Sequence, residues 1–178
     1  MNLDLTTLLT GPVDRLKRVV RYNNAHRLQD ESVAEHSYYV GLYCLVLGEW
    51  CEARGESIRW QFLFRRAMLH DLDEAVSGDF PRNFKYSSPD IAEALNGAAA
   101  KAFEKAVSFF KDEHQRFAWQ TCWKHSKDQG LEGRILAFAD VLSCVSYVFR
   151  ECALGNESIL QEVADLPEHA AEFERTYH

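Results

Sequence analysis

Ile135-Leu-Ala-Phe-Ala-Asp140-Val-Leu-Ser-Cys-Val-Ser-Tyr-Val-Phe149 decides the fold of this chain. The run is apolar almost throughout, holds no Gly or Pro, and carries one charged side chain, Asp140. It reads as a long buried helix reaching about residue 154 and ended by Gly155. An unpaired carboxylate inside such a helix is costly, so Asp140 must find a cation, a set of donors or solvent. Upstream, His70-Asp71 closes another apolar helical stretch, and His36 stands in the segment SVAEHS. Two imidazoles and two carboxylates form a mixed ligand set that suits a catalytic metal with open positions better than a closed structural site. Each member alone has a plainer reading: a core histidine bonded to backbone, a chance His-Asp pair, an aspartate on an arginine or a helix N-terminus. One ion would satisfy all of them together.

Helical periodicity extends over the rest of the chain. Ser32 and Glu35 match a capping box, and the helix it opens, over 33–52, aligns His36, Val40, Tyr43, Leu47 and Cys51. A second helix is expected over 57–71; one further turn would put Leu63, Ala67, His70 and Glu74 on one stripe. Ser77-Gly78-Asp79 breaks it, and 81–88 reads as an irregular loop. Ser88-Pro89 opens a helix to about residue 111, followed by helices over 113–125 and within 157–175, with a loop at 126–133. Sustained strand alternation is absent. The expectation is an all-α helical bundle.

The 178 residues are 47% hydrophobic, enough for one domain over 1–178. A net charge of −7 argues against a duplex-binding surface, though not against a local pocket for a small phosphate-bearing ligand. Five scattered cysteines without a C-x-x-C pair read as small buried hydrophobes rather than a disulfide or thiolate-zinc scaffold. With no signal-like start and no run of about 18 apolar residues, the expected location is the cytoplasm, away from membranes. His114, His125, His169 and His178 fall in polar stretches and read as surface residues; His26 could line a pocket mouth. The cluster Arg15-Leu-Lys-Arg-Val-Val-Arg21 reads as a solvated helix face.

The order His36, His70-Asp71, Asp140 resembles the ligand order of the HD superfamily of metal-dependent phosphohydrolases. The likeness is to its branch of bacterial 5′-deoxynucleotidases, and to related compact phage enzymes that cleave dNTPs. Arg21-Tyr22 stands about fifteen residues before the first histidine, followed by V-A-E-H-S across 33–37, and then by H-D-x-x-E-x-x-x-G-D-x-P from His70 to Pro81. Lys85-Tyr86 follows closely, and Ala139-Asp140 completes the set. The similarity spans about residues 15–151.

The resemblance implies an all-helical HD bundle and one divalent ion (Mn, Co, Mg or Zn) on His36, His70, Asp71 and Asp140. Asp71 and Glu74 would be the catalytic carboxylates, with Glu74 handling the proton of water or leaving group. Arg21 and Lys85 would contact phosphate, Tyr22 would pack against the sugar, and Asp79 would accept a bond from a sugar hydroxyl. Tyr22 stands where the bacterial enzymes carry Trp, which implies weaker discrimination against ribonucleotides. The implied activity is hydrolysis of deoxynucleoside 5′-monophosphates. The alternatives are a dNTP triphosphohydrolase of the dATP type and, in another class, a non-catalytic nucleotide-binding sensor. The expected partner is a small deoxynucleotide, with assembly into a homo-oligomer.

Overall fold

A computed structural model describes residues 3–163. Among them the chain is helical, with two isolated bridges, Leu3 to Phe110 and Val20 to Ser32, as its β-type pairings. The α-helices are α1 (Leu5–Thr10), α2 (Val33–Glu52), α3 (Trp60–Leu69), α4 (Glu74–Ser77), α5 (Arg82–Lys85), α6 (Pro89–Ala106), α7 (Glu113–Lys124) and α8 (Leu131–Ala153). Two 3-10 helices, Pro12–Arg18 and Glu157–Val163, flank them.

Helix α2 starts where its cap demands. Glu35 N–H donates to Ser32 Oγ at 3.2 Å, and Ser32 N–H donates back to Glu35 Oε2 at 2.8 Å. Its inner stripe of Val33, His36, Val40, Cys44 and Cys51 is buried. With Leu63 and Ala67 of α3 and Ile135, Leu136 and Ala139 of α8, Val40, Cys44 and Cys51 form one core. A second core joins Leu69, Leu72, Phe103, Ala106, Phe109 and Phe110, with Trp119 and Trp123 of α7 against it. The polar cluster described below lies where α2, the end of α3 and α8 meet.

Several boundaries differ from expectation. Helix α3 begins at Trp60, not residue 57, because Arg59 is drawn off by Glu132: its N–H and Nε both donate to Oε1 at 3.0 Å. It stops at Leu69; His70–Asp73 forms turns, so Glu74 starts the separate α4. The loop over 81–88 contains one helical turn, α5. Helix α6 ends at Ala106 rather than near 111, which lets Phe109 and Phe110 enter the second core and Phe109 C=O accept from Asp4 N–H at 2.8 Å. The C-terminal element begins as a 3-10 helix, and the remainder of that expected helix, with His169 and His178, lies outside the described residues. Helix α1, capped by Asp4 on Thr7 N–H, was not foreseen.

Gly133 does steric work in the first turn of α8. A Cβ there would lie 2.2 Å from Asp128 O and 2.7 Å from Asp128 N, so only glycine lets the preceding loop fold onto the helix. Arg66 fastens the same loop through two bonds to Asp128, at 2.8 and 2.7 Å. None of the described helices is long and apolar enough to cross a membrane.

Candidate active site

The four residues singled out for metal binding come from three local settings. His36 lies in the first turns of α2, His70-Asp71 just beyond α3, and Asp140 midway along α8. The fold brings them together. His36 Nε2 lies 3.0 Å from Asp140 Oδ1, 3.5 Å from Asp71 Oδ2 and 3.4 Å from His70 Nε2. His70 Nε2 lies 3.1 Å from Asp71 Oδ2.

The outer nitrogens of both imidazoles are occupied. His70 Nδ1 is 2.7 Å from Ala67 C=O, which can only accept, so Nδ1 carries a proton. His36 Nδ1 lies 3.0 Å from Ser143 Oγ and 2.8 Å from Arg21 Nη1. Arg21 can only donate, so in one tautomer Nδ1 accepts from it and Nε2 carries the proton; in the other, Ser143 accepts from Nδ1 and both Nε2 atoms turn their lone pairs toward the two carboxylates. Such a group of acceptors is repulsive unless a cation or a proton joins it. Burial alone would lower the His70 pKa, but the Asp71 carboxylate outweighs it and the pKa is raised. Burial likewise opposes ionisation of Asp71 and Asp140, yet His70 and Lys127 respectively lead the groups that hold them well below the ordinary carboxylate range. His36, His70 and Asp71 together offer ligand atoms close enough to hold one metal ion.

A cavity of about 160 Å³ opens beside this cluster and includes Arg21, Tyr22, Asp71, Glu74, Asp79 and Lys85 in its lining. Glu74 is buried and its Oε2 has no hydrogen-bond partner. Burial, then the charges of Asp71 and Asp79, push its pKa well up. Arg21 does not share the solvated face of Arg15, Lys17 and Arg18; past Val19 the chain turns inward. Its Nη1 donates to Glu31 Oε2 at 2.9 Å, while Arg150 holds Glu31 Oε1 at 2.7 Å. Tyr22 takes a left-handed backbone, φ 53°, and stacks flat on Tyr147 with ring centroids 4.7 Å apart. Its N–H donates to Asp79 Oδ2 at 3.2 Å, so Asp79 is tied to the Arg21-Tyr22 segment. His26 is turned away from this cavity: its Nδ1 lies 3.4 Å from Asn156 Oδ1. His114 and His125 are exposed.

Sequence reasoning missed Glu31, Lys127, Ser143 and Cys144. Lys127 Nζ lies 2.5 Å from Asp140 Oδ2 and lines the cavity; Arg21 Nη2 donates to Cys144 Sγ at 3.4 Å. Glu31 adjoins the capping serine and Ser143 lies three residues past Asp140, but neither local pattern distinguishes them from ordinary polar residues.

An all-helical fold that gathers two histidines and two aspartates beside a cavity lined by a buried glutamate defines an HD-domain phosphohydrolase. The structure is similar to such an enzyme from Listeria innocua, with a TM-score of 0.75, 27% identity, and coverage of 96% of this chain and 79% of that one. Across residues 9–175 the sequence matches the family described as 5′-deoxynucleotidase YfbR-like, and the chain belongs to that family. A 5′-deoxynucleotidase of Vibrio parahaemolyticus is 27% identical over 143 residues, 80% of this chain and 73% of that protein. The fold is also shared with a cyanophage S-2L HD phosphohydrolase, DatZ, solved with dA and one catalytic Zn2+ ion: TM-score 0.57, 21% identity, 94% of this chain and 95% of that one.

Proposed function

We propose that the chain, working as one unit over residues 1–178 in the cytoplasm, hydrolyses 2′-deoxynucleoside 5′-monophosphates to deoxynucleoside and phosphate. In this reading His36, His70, Asp71 and Asp140 hold one divalent ion, Mn2+, Co2+, Mg2+ or Zn2+. The spacing of the ligand atoms of His36, His70 and Asp71 carries the reading. Atoms about 2.0–2.2 Å from a shared ion stand about 3.0 Å apart at right angles and about 3.4 Å apart at tetrahedral angles. The separations among these three are 3.1, 3.4 and 3.5 Å, and Asp140 approaches the group through His36, its Oδ1 3.0 Å from Nε2. The two-imidazole, two-carboxylate donor set fits the same ions.

When bound, the ion activates water and neutralises charge on the phosphoryl group. Glu74, unpartnered at the cavity wall, handles the proton of the water or of the departing sugar oxygen. Arg21, braced by Glu31, orients the phosphate with its remaining donors, and Lys85 adds a point charge. Tyr22 walls the sugar side, backed by Tyr147, and Asp79 accepts from a sugar hydroxyl. A sensor would have no use for the buried carboxyl of Glu74, whose Oε2 has no partner. The chain assembles as a homo-oligomer, a dimer or larger, and α2 and α8 leave Tyr38, Leu42, Val46 and Phe149 exposed.

The test is product analysis over dNMPs, NMPs and dNTPs with each metal and with chelator. Orthophosphate from dNMPs, abolished by chelation and restored by metal, is the expected result. Inorganic triphosphate from dNTPs would replace the monophosphate reading with the triphosphohydrolase one.

A further inference from the structure

Lys127 is the cation of this cavity to which no role has yet been given. It stands between buried Ser126 and Asp128, whose carboxylate holds both terminal nitrogens of Arg66. Arg66 is itself buried, and Gly133 clamps the Asp128 backbone against α8. The loop is therefore anchored on both sides of the lysine. From it the ammonium reaches Asp140 Oδ2, while Oδ1 of the same carboxylate faces His36 Nε2. An ammonium has three donors. One is taken by Asp140, the side chain keeps 39% exposure, and the residue lines the cavity with Arg21 and Lys85.

Resting on the function proposed above, we infer that Lys127 is a further phosphate-binding residue: it fixes the second oxygen of Asp140 and turns its remaining N–H bonds on the phosphate of the nucleotide. Asp71, Glu74, Asp79, Asp140 and Glu162 place five carboxyl groups around a cavity that must admit a phosphate dianion. Lys127 offsets the one nearest to it. Its removal therefore has effects of opposite sign. Asp140 becomes more attractive to a metal cation, and the cavity becomes less attractive to phosphate. A lysine that only secured the loop would, when removed, weaken both.

The experiment uses the full chain as K127M and K127R, loaded with Mn2+. Calorimetry gives the affinity for Mn2+ and then, on the loaded protein, for inorganic phosphate; steady-state assays give KM and kcat for a dNMP. In K127M, Mn2+ affinity should equal or exceed that of the parent. Phosphate binding should weaken roughly 10- to 100-fold, the span of one lost charge-assisted hydrogen bond, and KM should rise by a similar factor. K127R should recover part of both. Unchanged phosphate affinity in K127M, or joint loss of Mn2+ and phosphate binding, would overturn the assignment. Phosphate binding is read without turnover. A parent chain that binds phosphate yet cleaves no dNMP refutes the proposed function, while the comparison with K127M still decides the role of Lys127.

Discussion

Replacing Ser143 by Ala tests the tautomer of His36, on which metal binding turns. Ser143 is 1% exposed, and its Oγ is the acceptor available to His36 Nδ1 at 3.0 Å. Arg21 Nη1 lies 2.8 Å from the same nitrogen, and a guanidinium can only donate. While Ser143 accepts, Nδ1 keeps the proton and Nε2 offers its lone pair to the cluster. Once the hydroxyl is gone, Arg21 favours the opposite tautomer, with the proton on Nε2 and aimed at Asp140 Oδ1. The change is one lost hydrogen bond from Nδ1–H, about 1 kcal/mol or somewhat more, because Arg21 already faces that N–H in the parent. That corresponds to a loss of roughly 10-fold in metal affinity, the low end of the usual effect of removing a partner behind a ligating histidine. Deleting a single oxygen should move folding stability by only about 1 kcal/mol. Mn2+ calorimetry on S143A measures the loss. Adding R21M removes the competing donor and should return most of the affinity, since Arg150 still pairs with Glu31. An S143A chain with unchanged Mn2+ affinity, or a double variant no better than S143A, refutes the tautomer argument.

Glu74→Gln should leave Mn2+ and phosphate binding in place while cutting turnover by roughly 10²- to 10⁴-fold; near-parent turnover would remove Glu74 from the chemistry. Gly133→Ala forces a Cβ onto the Asp128 backbone and should lower stability to urea by about 1–3 kcal/mol or more, with parent-like stability as the contrary result. Glu132 is buried, and its hydrogen bonds from Arg59 bring the carboxyl pKa down to about 2 from its ordinary 4.5. A lowered pKa stabilises the fold above the ordinary value and loses that contribution as pH falls toward the folded one. Melting temperature should accordingly drop as pH falls below 4.5, and Glu132→Gln should flatten the curve in that window; identical curves for both chains would contradict the assignment.

Much of this architecture was legible because its causes are local. The capping box at Ser32 and Glu35, the Ser88-Pro89 start and the apolar run around Asp140 each declare a helix within a few residues. Boundaries set by distant partners were not legible. Nothing near Arg59 announces that Glu132 will delay the start of α3, and nothing in Phe109-Phe110 announces that a second core will stop α6 early. At the site, residues with a spaced motif could be picked out. Lys127 sat in a polar loop like any solvated lysine, and its place follows from the Arg66–Asp128 pair and from Gly133. Glu31 acquires its role only when Arg21 and Arg150 arrive from opposite ends of the chain.

The lateness of α8 has a consequence for synthesis. His36, Arg66 and His70 emerge from the ribosome well before the residues that cover and pair them, Asp128, Asp140 and Ser143. At about 5–20 residues per second, the 70 residues from His70 to Asp140 take roughly four to fourteen seconds to add. Throughout that interval the growing chain carries two imidazoles and a guanidinium on surfaces destined for its interior. It has no way to shelter them. A chain that stops ahead of α8 lacks Asp140 and Ser143, and with them part of the polar cluster and the α8 share of the core around it.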